Sequence, residues 1–334
     1  MPRFLCLTCG RTFSRQTFST SYYLKRPELL VPIAAGLQAG SALRQIARSL
    51  TCAPSTPGRQ AARLGRHALL LHGRALAHLR GRLSEPIVLD HFETFEFSQD
   101  CPFGVATAVG ARSWFVYGLD PAPHGRTGHL TPEQTRRLAS RPRREIRGGY
   151  HGSTRRTLAS LLPLVPEGGC LRLIGDGHPA YAQAAAGQAR VRLRSFPNPP
   201  RGPKGSPRSP AARARDRAMY PVDLLHALLR HSLAHHRRET IAFGRRLNAL
   251  LERLFLAAVW RNFVKKRSER RPAPVSPAMQ VGLSCELWTW RRVLSRRLFP
   301  SRESLSAIQK ILYHRAWMTT VLPQSLRHDR IHAY

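Results

Sequence analysis

The stretch Ile87-Val88-Leu89-Asp90-His91-Phe92 marks the point where the chain changes from a helical to a strand-like pattern. Its apolar triplet, followed by further aromatic residues, predicts a β-strand that carries Asp90 directly after the triplet. Four more strands are predicted downstream, at residues 103–109, 113–118, 170–174 and 190–196. Three strands joined by turns, followed by an alternation of helices and strands, predict an α/β fold with a mixed five-stranded sheet and flanking helices.

The regions around this sheet differ in composition. Residues 1–26 are basic and aromatic and contain a Cys pair, and residues 27–82 have a helical pattern of Ala, Leu and Arg, which predicts a small all-α region before the sheet. The sheet domain is predicted over residues 85–268, with a basic flexible insertion at about 197–217 that is rich in Pro, Ser, Gly and Arg. Residues 269–334 are predicted to form a basic C-terminal tail.

Helices are predicted on both sides of the first strand. The predicted ranges are 28–38, 41–50 and 55–67 before the sheet, and 154–162, 179–186, 222–236 and 240–265 after it.

The charge balance indicates a polyanionic partner. The 334 residues include 54 Lys and Arg against 19 Asp and Glu, a formal net charge of +35. Such a charge favours nucleic acid as the binding partner, with an anionic membrane surface as the second choice. No apolar run approaches the roughly 18 residues of a membrane span, and the N-terminus lacks the pattern of a signal peptide. We therefore expect a cytoplasmic protein that binds DNA and not a membrane.

A Cys pair near the N-terminus suggests half of a zinc site. Cys6 and Cys9 are followed by Gly10, and a Cys-x-x-Cys-Gly turn can place two thiolates on one Zn²⁺. A structural zinc site needs four ligands, and the sequence has no second Cys-x-x-Cys. Two interpretations stay open: a remnant that binds no metal, or a site whose other Cys pair lies upstream of this sequence.

The helical region resembles a helix-turn-helix. Its third helix begins near Ser55, and the second has Ser41 as its predicted N-cap. In this arrangement the DNA-contacting side chains of the third helix are Arg59, Gln60, Arg63 and Arg66, which suit phosphates and guanine edges. The alternative is an ordinary helical hairpin with a solvated basic face.

Acids are scarce in this chain, so those in apolar surroundings stand out. Asp90 follows the first strand's apolar triplet, and Asp176 follows the fourth strand. Adjacent strands would bring the two carboxylates together, and the repulsion between them favours bound cations, as in a two-metal site with Mg²⁺ or Mn²⁺ for phosphodiester chemistry. Glu252, on a late helix with an apolar stripe, is the predicted third carboxylate, and Glu239 and Asp223 compete with it. The alternatives are a simple turn at Asp176 and a solvated helix face at Glu252.

Four histidines lie close together late in the sequence, at positions 226, 231, 235 and 236. The run from His235 to Arg238 is predicted to be a phosphate-facing basic patch and not a metal site.

The order of these motifs resembles the bacterial insertion-sequence transposases of the DDE class. The most specific pieces are Cys9-Gly10-Arg11-Thr12-Phe13-Ser14 and Asp176-Gly177-His178-Pro179-Ala180-Tyr181, and the likeness spans about residues 4–265. It implies a zinc-ribbon-like N-terminus and a ribonuclease-H-like catalytic domain.

By that resemblance, Asp90, Asp176 and Glu252 would hold two Mg²⁺ ions. The ions would activate water for nicking at transposon ends and then the 3′-hydroxyl for strand transfer. The expected partners are the terminal inverted repeats and the target DNA, on which the protein would act as a homo-oligomer.

Other functions remain open at this point. A sequence-specific DNA-binding regulator, or an inactive truncated transposase remnant, would bind the ends without metal-dependent cleavage. A ribonuclease-H-like nuclease of another class, such as a junction resolvase, would cut branched DNA without preference for particular ends.

Overall fold

The computed structural model describes residues 2–96, 101–125, 129–139, 148–200, 202–203, 205–237, 240–270 and 272–316. Within these ranges a five-stranded mixed sheet is flanked by helices, which confirms the predicted α/β class. None of the helices in these ranges is long and apolar enough to cross a membrane.

The chain begins with a small hairpin that carries the Cys pair. Strand β1 (Arg3–Leu5) pairs antiparallel with β2 (Thr12–Ser14). Between them, the N–H of Cys6 donates to the carbonyl of Arg11 at 2.9 Å and the N–H of Gly10 donates to the carbonyl of Cys6 at 2.8 Å. Gly10 has φ +65°, a left-handed conformation that favours glycine. The tight turn that the Cys-x-x-Cys-Gly motif predicts is therefore present.

Three helices precede the sheet: α1 (Leu30–Gln38), α2 (Leu43–Ser49) and α3 (Ser55–His78). The second helix begins later than predicted, because Ala42 and not Ser41 is its N-cap, and the Gln45 side chain accepts from the Ala42 N–H at 2.7 Å. The third helix does not end at His67 as predicted. Its buried apolar stripe continues through Leu69, Leu70 and Leu71, so it is a 24-residue core helix.

The sheet consists of β3 (Ile87–Phe95), β4 (Pro102–Gly110), β5 (Val116–Pro123), β6 (Leu171–Gly175) and β7 (Val191–Ser195). These confirm the five predicted strands. Their order is β5-β4-β3-β6-β7, with β4 antiparallel to both neighbours and the β3–β6 and β6–β7 pairs parallel. Strand β5 begins at Val116 and not at 113, because the turn before it is bound by Glu85, whose carboxylate accepts from the N–H groups of Arg112 and Ser113.

Helices cover both faces of the sheet. After α4 (Pro132–Ala139), the helices α5 (Gly149–Leu161) and α6 (Pro179–Ala186) lie on one face, where His91 of β3 contacts Ser153 and Tyr181. The next residue, Phe92, points to the opposite face. There it contacts His226 of α7 (Pro210–Ser232). Helix α7 begins inside the predicted flexible insertion, because Ser209 caps it by accepting from the Ala212 N–H at 3.1 Å. Residues 210–217 are thus helical.

Helix α8 (Leu247–Val259) joins the N-terminal helices to the sheet. The predicted helix at 240–265 is shorter at its start, where the Glu96 carboxylate accepts from the Leu247 N–H at 2.9 Å. It continues as a π-turn over Trp260–Val264, in which the Asn262 amide bonds both backbone groups of Val116 on β5. Helix α8 also packs along α3, so the helical region and the sheet share one apolar core.

The C-terminal region that is described is packed and not a tail. It forms α9 (Pro277–Gln280), α10 (Trp290–Ser295) and α11 (Ala307–Tyr313). Val293 and Leu312 are fully buried, and the carbonyl of Val293 lies 2.8 Å from Nε2 of His67 on α3. Arg74 of α3 pairs with Glu303 at 2.5 Å. The prediction of a basic tail is wrong for residues 277–313, because their apolar side chains complete the core around α3.

Candidate active site

The structure brings the first two predicted acids together at one edge of the sheet. Strands β3 and β6 are parallel neighbours, with Ile87 opposite Leu173 and Val88 opposite Ile174. Two residues further along each strand stand Asp90 and Asp176. The two carboxylates therefore lie at the same level, just beyond the last paired residues of the two strands, where β6 ends and β3 continues to Phe95.

The charge of Asp176 acts on the Asp90 carboxyl. Burial and, next, the negative charge of Asp176 together raise the pKa of Asp90 to about 7. The Asp90 side chain is 20% exposed, so it is buried in part but open to a ligand. Because two neighbouring carboxylates repel each other, this arrangement favours a shared proton or a bound cation.

A hydrogen-bonded chain fixes Asp90 from one side. Its Oδ1 accepts from the N–H of His91 at 2.7 Å and from the hydroxyl of Tyr181 at 3.3 Å. The same hydroxyl lies 2.9 Å from Nδ1 of His91, whose Nε2 lies 2.7 Å from Oγ of Ser153. Burial lowers the pKa of His91 to about 3, so the imidazole is neutral. The Tyr181 hydroxyl of α6 thereby contacts the Asp90 carboxylate directly, and the buried imidazole of His91 links this hydroxyl to Ser153 of α5.

On the other face of the sheet, His226 of α7 approaches Asp90. Its Nδ1 lies 3.8 Å from Oδ2 of Asp90, and its Nε2 lies 2.7 Å from Oγ1 of Thr107. Burial, reinforced by Arg230 and Arg215, lowers the pKa of His226 to about 3, so this contact is not an ion pair at neutral pH.

The tautomer of His226 follows from its partner. The Thr107 hydroxyl donates to the carbonyl of Asp90 at 2.9 Å, so it accepts from Nε2 of His226. Nδ1 is then left with a lone pair that faces Oδ2 of Asp90. Two facing acceptors again favour a proton or a cation near Asp90.

Glu252, the predicted third carboxylate, belongs to a different cluster. It is 2% exposed and lies where α8 crosses α3, with its backbone and Cβ against Gly65. Burial raises its pKa to about 7, opposed by the nearby charges of Arg315, Arg66 and Arg253. The structure places Glu252 in the contact between these two helices.

Asp223 is the second acid whose charge acts on Asp90. It lies on α7, the helix after the last strand, and its charge contributes to the raised pKa of Asp90. Its Oδ2 pairs with Arg215 at 2.5 Å. The sequence does contain a signal that places Asp223 beside Asp90. Asp223 and His226, which approaches Asp90, are three residues apart on α7 and so share one helix face. Glu239, the other competing acid, lies outside the described residues.

The residues near Asp90 carry the type of donor atoms that bind a divalent cation. In the described part of the chain, no three His, Cys, Asp or Glu side chains come together as a complete metal cage. Mg²⁺ does not require such a cage, because it is usually bound by one or two carboxylates together with water and substrate phosphates. The oxygens of Asp90 and Asp176, with Asp223 nearby, match that donor set.

The predicted DNA-contacting side chains of α3 mostly turn inward. Gln60 is only 8% exposed, and Arg63 donates to the carbonyls of Thr20 at 3.0 Å and Tyr22 at 2.7 Å. Arg66 lies near Glu252, whose charge acts on its guanidinium. Of the four residues, Arg59 is the exposed one. The prediction of a recognition face is therefore corrected, because α3 uses these side chains to bind the rest of the protein.

The predicted phosphate-facing patch is also corrected at its histidines. His235 and His236 are buried, and the ring of His236 packs edge-on against Phe92. Nδ1 of His236 lies 3.1 Å from Oγ1 of Thr94. Burial lowers the pKa of His236 to about 3, so it carries no charge for a phosphate at neutral pH.

No protein-family model, curated protein or solved structure matches this chain.

Proposed function

We propose that the chain is a DDE transposase, which nicks DNA in a metal-dependent reaction and transfers strands at the ends of an insertion sequence. The order of the sheet supports a ribonuclease-H-like catalytic domain. Only β4 runs against the other four strands, and the first strand of the sheet lies at its centre. The wider sequence resemblance to these transposases supports the same assignment.

One observation carries the proposal. Asp90 of β3 and Asp176, directly after the end of β6, stand level on two adjacent parallel strands, and the charge of Asp176 raises the pKa of Asp90. A single buried acid needs no cation, but two neighbouring carboxylates in a partly buried position are stabilised by one. This is the type of acid pair on which two-metal phosphodiester chemistry depends.

The roles of the protein groups follow from their contacts. Asp90 and Asp176 would hold the metal, and we infer that Asp223, whose charge acts on Asp90, is the third acid in place of Glu252, which is buried between α3 and α8. When bound, the metal lowers the pKa of water and neutralises charge on the phosphate. Tyr181 and His91 hold the Asp90 carboxylate in place, and the net charge of +35 attracts the DNA backbone.

The test is nicking of a supercoiled plasmid that carries candidate terminal inverted repeats, with Mg²⁺ or Mn²⁺ added. We expect metal-dependent nicking that Asp90→Asn and Asp176→Asn each abolish. Glu167→Gln is the matched control, since Glu167 is an exposed acid in the turn before β6, away from the carboxyl ends of the strands.

The results separate the alternatives. Full activity of both Asn variants would contradict the proposal. End-specific binding by the wild-type protein without cleavage would favour a DNA-binding regulator or an inactive remnant. Cutting of branched DNA without end preference would favour a resolvase-type nuclease.

A further inference from the structure

A cavity that is separate from the acid pair lies between α3, β5, α5 and the segment that leads into α11. Its volume is about 340 Å³. Small-molecule sites have volumes of roughly 300–1,000 Å³, with mostly apolar walls and a few polar groups that fix the ligand. The large apolar side chains that line this cavity are Leu76, Leu119, Leu164, Leu305 and Ile308. Its size and lining therefore suit a small ligand with an apolar body.

His72 lines this cavity from α3 and has one ring nitrogen without a partner. Its Nε2 lies 3.0 Å from the carbonyl of Val116, and because a carbonyl only accepts, Nε2 carries the proton. Burial lowers the pKa of His72 to about 4, so the imidazole is neutral at pH 7 and Nδ1 holds a lone pair. Nδ1 is buried and finds no hydrogen-bond partner among the described residues. A buried acceptor of this kind is costly, and an N–H or O–H group of a ligand would satisfy it.

Thr157 contributes a second unpartnered group from α5. Two neighbours on this helix bond to backbone carbonyls, Thr154 to that of Tyr150 at 2.7 Å and Ser160 to that of Thr157 at 2.7 Å. The Thr157 hydroxyl makes no such bond, and its Oγ1 is buried without a partner in the described part of the chain. Since Thr157 and His72 both line the cavity, its two walls favour a ligand with a polar group at the buried end.

A cation lies at the opening of the cavity. Arg80 and Arg156 both contribute to the lining, and Arg156 pairs with Asp120 at 2.6 Å. Arg80 is exposed, has no carboxylate partner within the described ranges, and donates to Oγ of Ser304 at 3.1 Å. A guanidinium has five N–H donors, so Arg80 keeps others for a carboxylate. The cavity thus combines an apolar interior with a positive charge at its rim.

We propose that this cavity binds a small amphipathic carboxylate, with its carboxylate on Arg80 and an N–H or O–H group beside His72 and Thr157. Arg80 and His72 are eight positions apart on and just beyond α3, which is roughly 12 Å at the helical rise per residue. A bicyclic aromatic ring with a short acid side chain, together with the reach of the Arg80 side chain, spans this distance. The inference goes beyond the proposed catalytic function and does not depend on it.

The probe is indole-3-propionate, which carries an apolar ring, an N–H group and a carboxylate. Calorimetry on the full chain, without DNA or metal, measures its affinity. We expect one site per chain with a Kd below about 1 mM. Two analogues separate the contacts, because 1-methylindole-3-propionate lacks the N–H group and indole-3-propionamide lacks the charge. Each is expected to bind about tenfold more weakly than the probe.

Substitution of Arg80 tests the contact at the rim. Arg80→Gln is expected to weaken the probe about tenfold and to leave the affinity of the propionamide unchanged, since only a carboxylate uses this charge. Arg82→Gln is the matched control. Arg82 is an exposed arginine outside the lining that donates to the carbonyl of His78 at 3.3 Å, and its loss is expected to keep the affinity.

Substitutions of Thr157 and Ala77 test the interior and the opening. Thr157→Val keeps the shape of the side chain and removes a hydroxyl that has no partner in the described fold. This variant is expected to resist urea at least as well as the wild type and to bind the probe severalfold more weakly, whereas a purely structural Thr157 would leave the affinity unchanged. Ala77→Trp places a bulky ring at an exposed position of the lining and is expected to abolish binding without unfolding the protein.

Three results would overturn the proposal. The first is the absence of saturable binding up to about 10 mM probe. The second is equal weakening by Arg80→Gln and Arg82→Gln, which would indicate attraction of an anion to the net charge of +35 alone. The third is unchanged affinity in both Thr157→Val and Ala77→Trp, which would place the probe elsewhere. All of these readouts are independent of DNA cleavage, so failure of this site is distinguishable from failure of the proposed catalytic function.

Discussion

The hydroxyl of Tyr181 lies 3.3 Å from Oδ1 of Asp90 and 2.9 Å from Nδ1 of His91, so one side chain of α6 links a candidate metal ligand to a buried imidazole. Burial raises the pKa of Tyr181, and Asp90 and Asp176 raise it further, so the phenol keeps its proton. Outer partners of this kind orient a carboxylate and tune its affinity for metal.

We predict that Tyr181→Phe weakens Mn²⁺ binding by about 10-fold to 100-fold, because Asp90 loses the contact that orients it. Calorimetry or Mn²⁺ spin resonance measures this without DNA. Tyr117→Phe is the matched control, since it removes a buried hydroxyl that donates to Glu85 at 3.0 Å in another part of the sheet. Equal metal affinity in the wild type and Tyr181→Phe would show that Tyr181 serves the fold alone.

The identity of the third carboxylate gives a second prediction. Asp223 acts on the pKa of Asp90, whereas Glu252 lies between α3 and α8. We expect Asp223→Asn to lower metal-dependent nicking at least about tenfold. Loss of a group that orients a bound metal has an effect of this size. Asp216→Asn, on the same helix and paired with Arg208 on an exposed surface, is expected to keep activity. Normal nicking by Asp223→Asn, with loss in Glu252→Gln, would restore Glu252 as the third acid.

The sequence predicts the sheet well because its signals are local. Each strand is a short apolar run bounded by turn residues, and the pairing of parallel neighbours then fixes where Asp90 and Asp176 meet. The third acid is different. The apolar stripe of α8 correctly predicts that this helix is buried, but not what it is buried against. Helix α8 packs on α3, a contact between segments far apart in the sequence, which a local pattern does not encode.

The basic pattern of α3 misleads for a related reason. Regularly spaced Arg residues are typical of a solvated or DNA-facing helix. In this fold, however, Arg63 is bound by the carbonyl of Tyr22, and Arg66 is largely buried, with the charge of Glu252 acting on its guanidinium. The guanidinium group can serve either purpose, since its donors suit backbone carbonyls as well as phosphates. Burial decides between the two, and burial is a property of the folded chain.

Glu252 is predicted to make stability depend on pH. Its pKa is raised from 4.5 to about 7 in the fold, so the folded state holds the proton more tightly than the unfolded state. The stability from the neutral buried acid is complete below pH 4.5 and is lost as the pH rises through about 7.

Glu252→Gln keeps the shape of the neutral acid without its titration. Between about pH 4 and about pH 8, we expect the variant to gain on the order of 3 kcal/mol relative to wild type. Urea unfolding at both pH values measures the difference. A wild-type advantage that grows with pH would contradict the expected direction.

Substitutions of Arg63 and Arg59 are predicted to have different effects, the first on the free energy of unfolding and the second on DNA affinity. Arg63 donates to two backbone carbonyls, so Arg63→Ala is expected to cost about 2 kcal/mol of unfolding free energy. Arg59 is exposed on the same helix, so Arg59→Ala is expected to cost less unfolding free energy than Arg63→Ala. If Arg59 contacts a phosphate, its loss lowers the salt dependence of DNA affinity by about 0.9 in log–log slope. Unfolding curves and binding at several salt concentrations test both, and an unchanged slope would remove Arg59 from the DNA interface.

The crossing of α3 and α8 gives the last prediction. A Cβ at Gly65 would lie 2.5 Å from both Cβ and the carbonyl oxygen of Glu252, and a backbone oxygen cannot move aside without shifting α8. We expect Gly65→Ala to destabilise the protein by about 1 to 3 kcal/mol. Gly58→Ala, two turns earlier on α3, meets only Leu43 at 3.8 Å and is expected to gain up to about 1 kcal/mol from helix propensity. Urea unfolding of the two variants compares them directly. Equal stability of both would mean that α8 does not approach α3 at Gly65, and the burial of Glu252 would then need another cause.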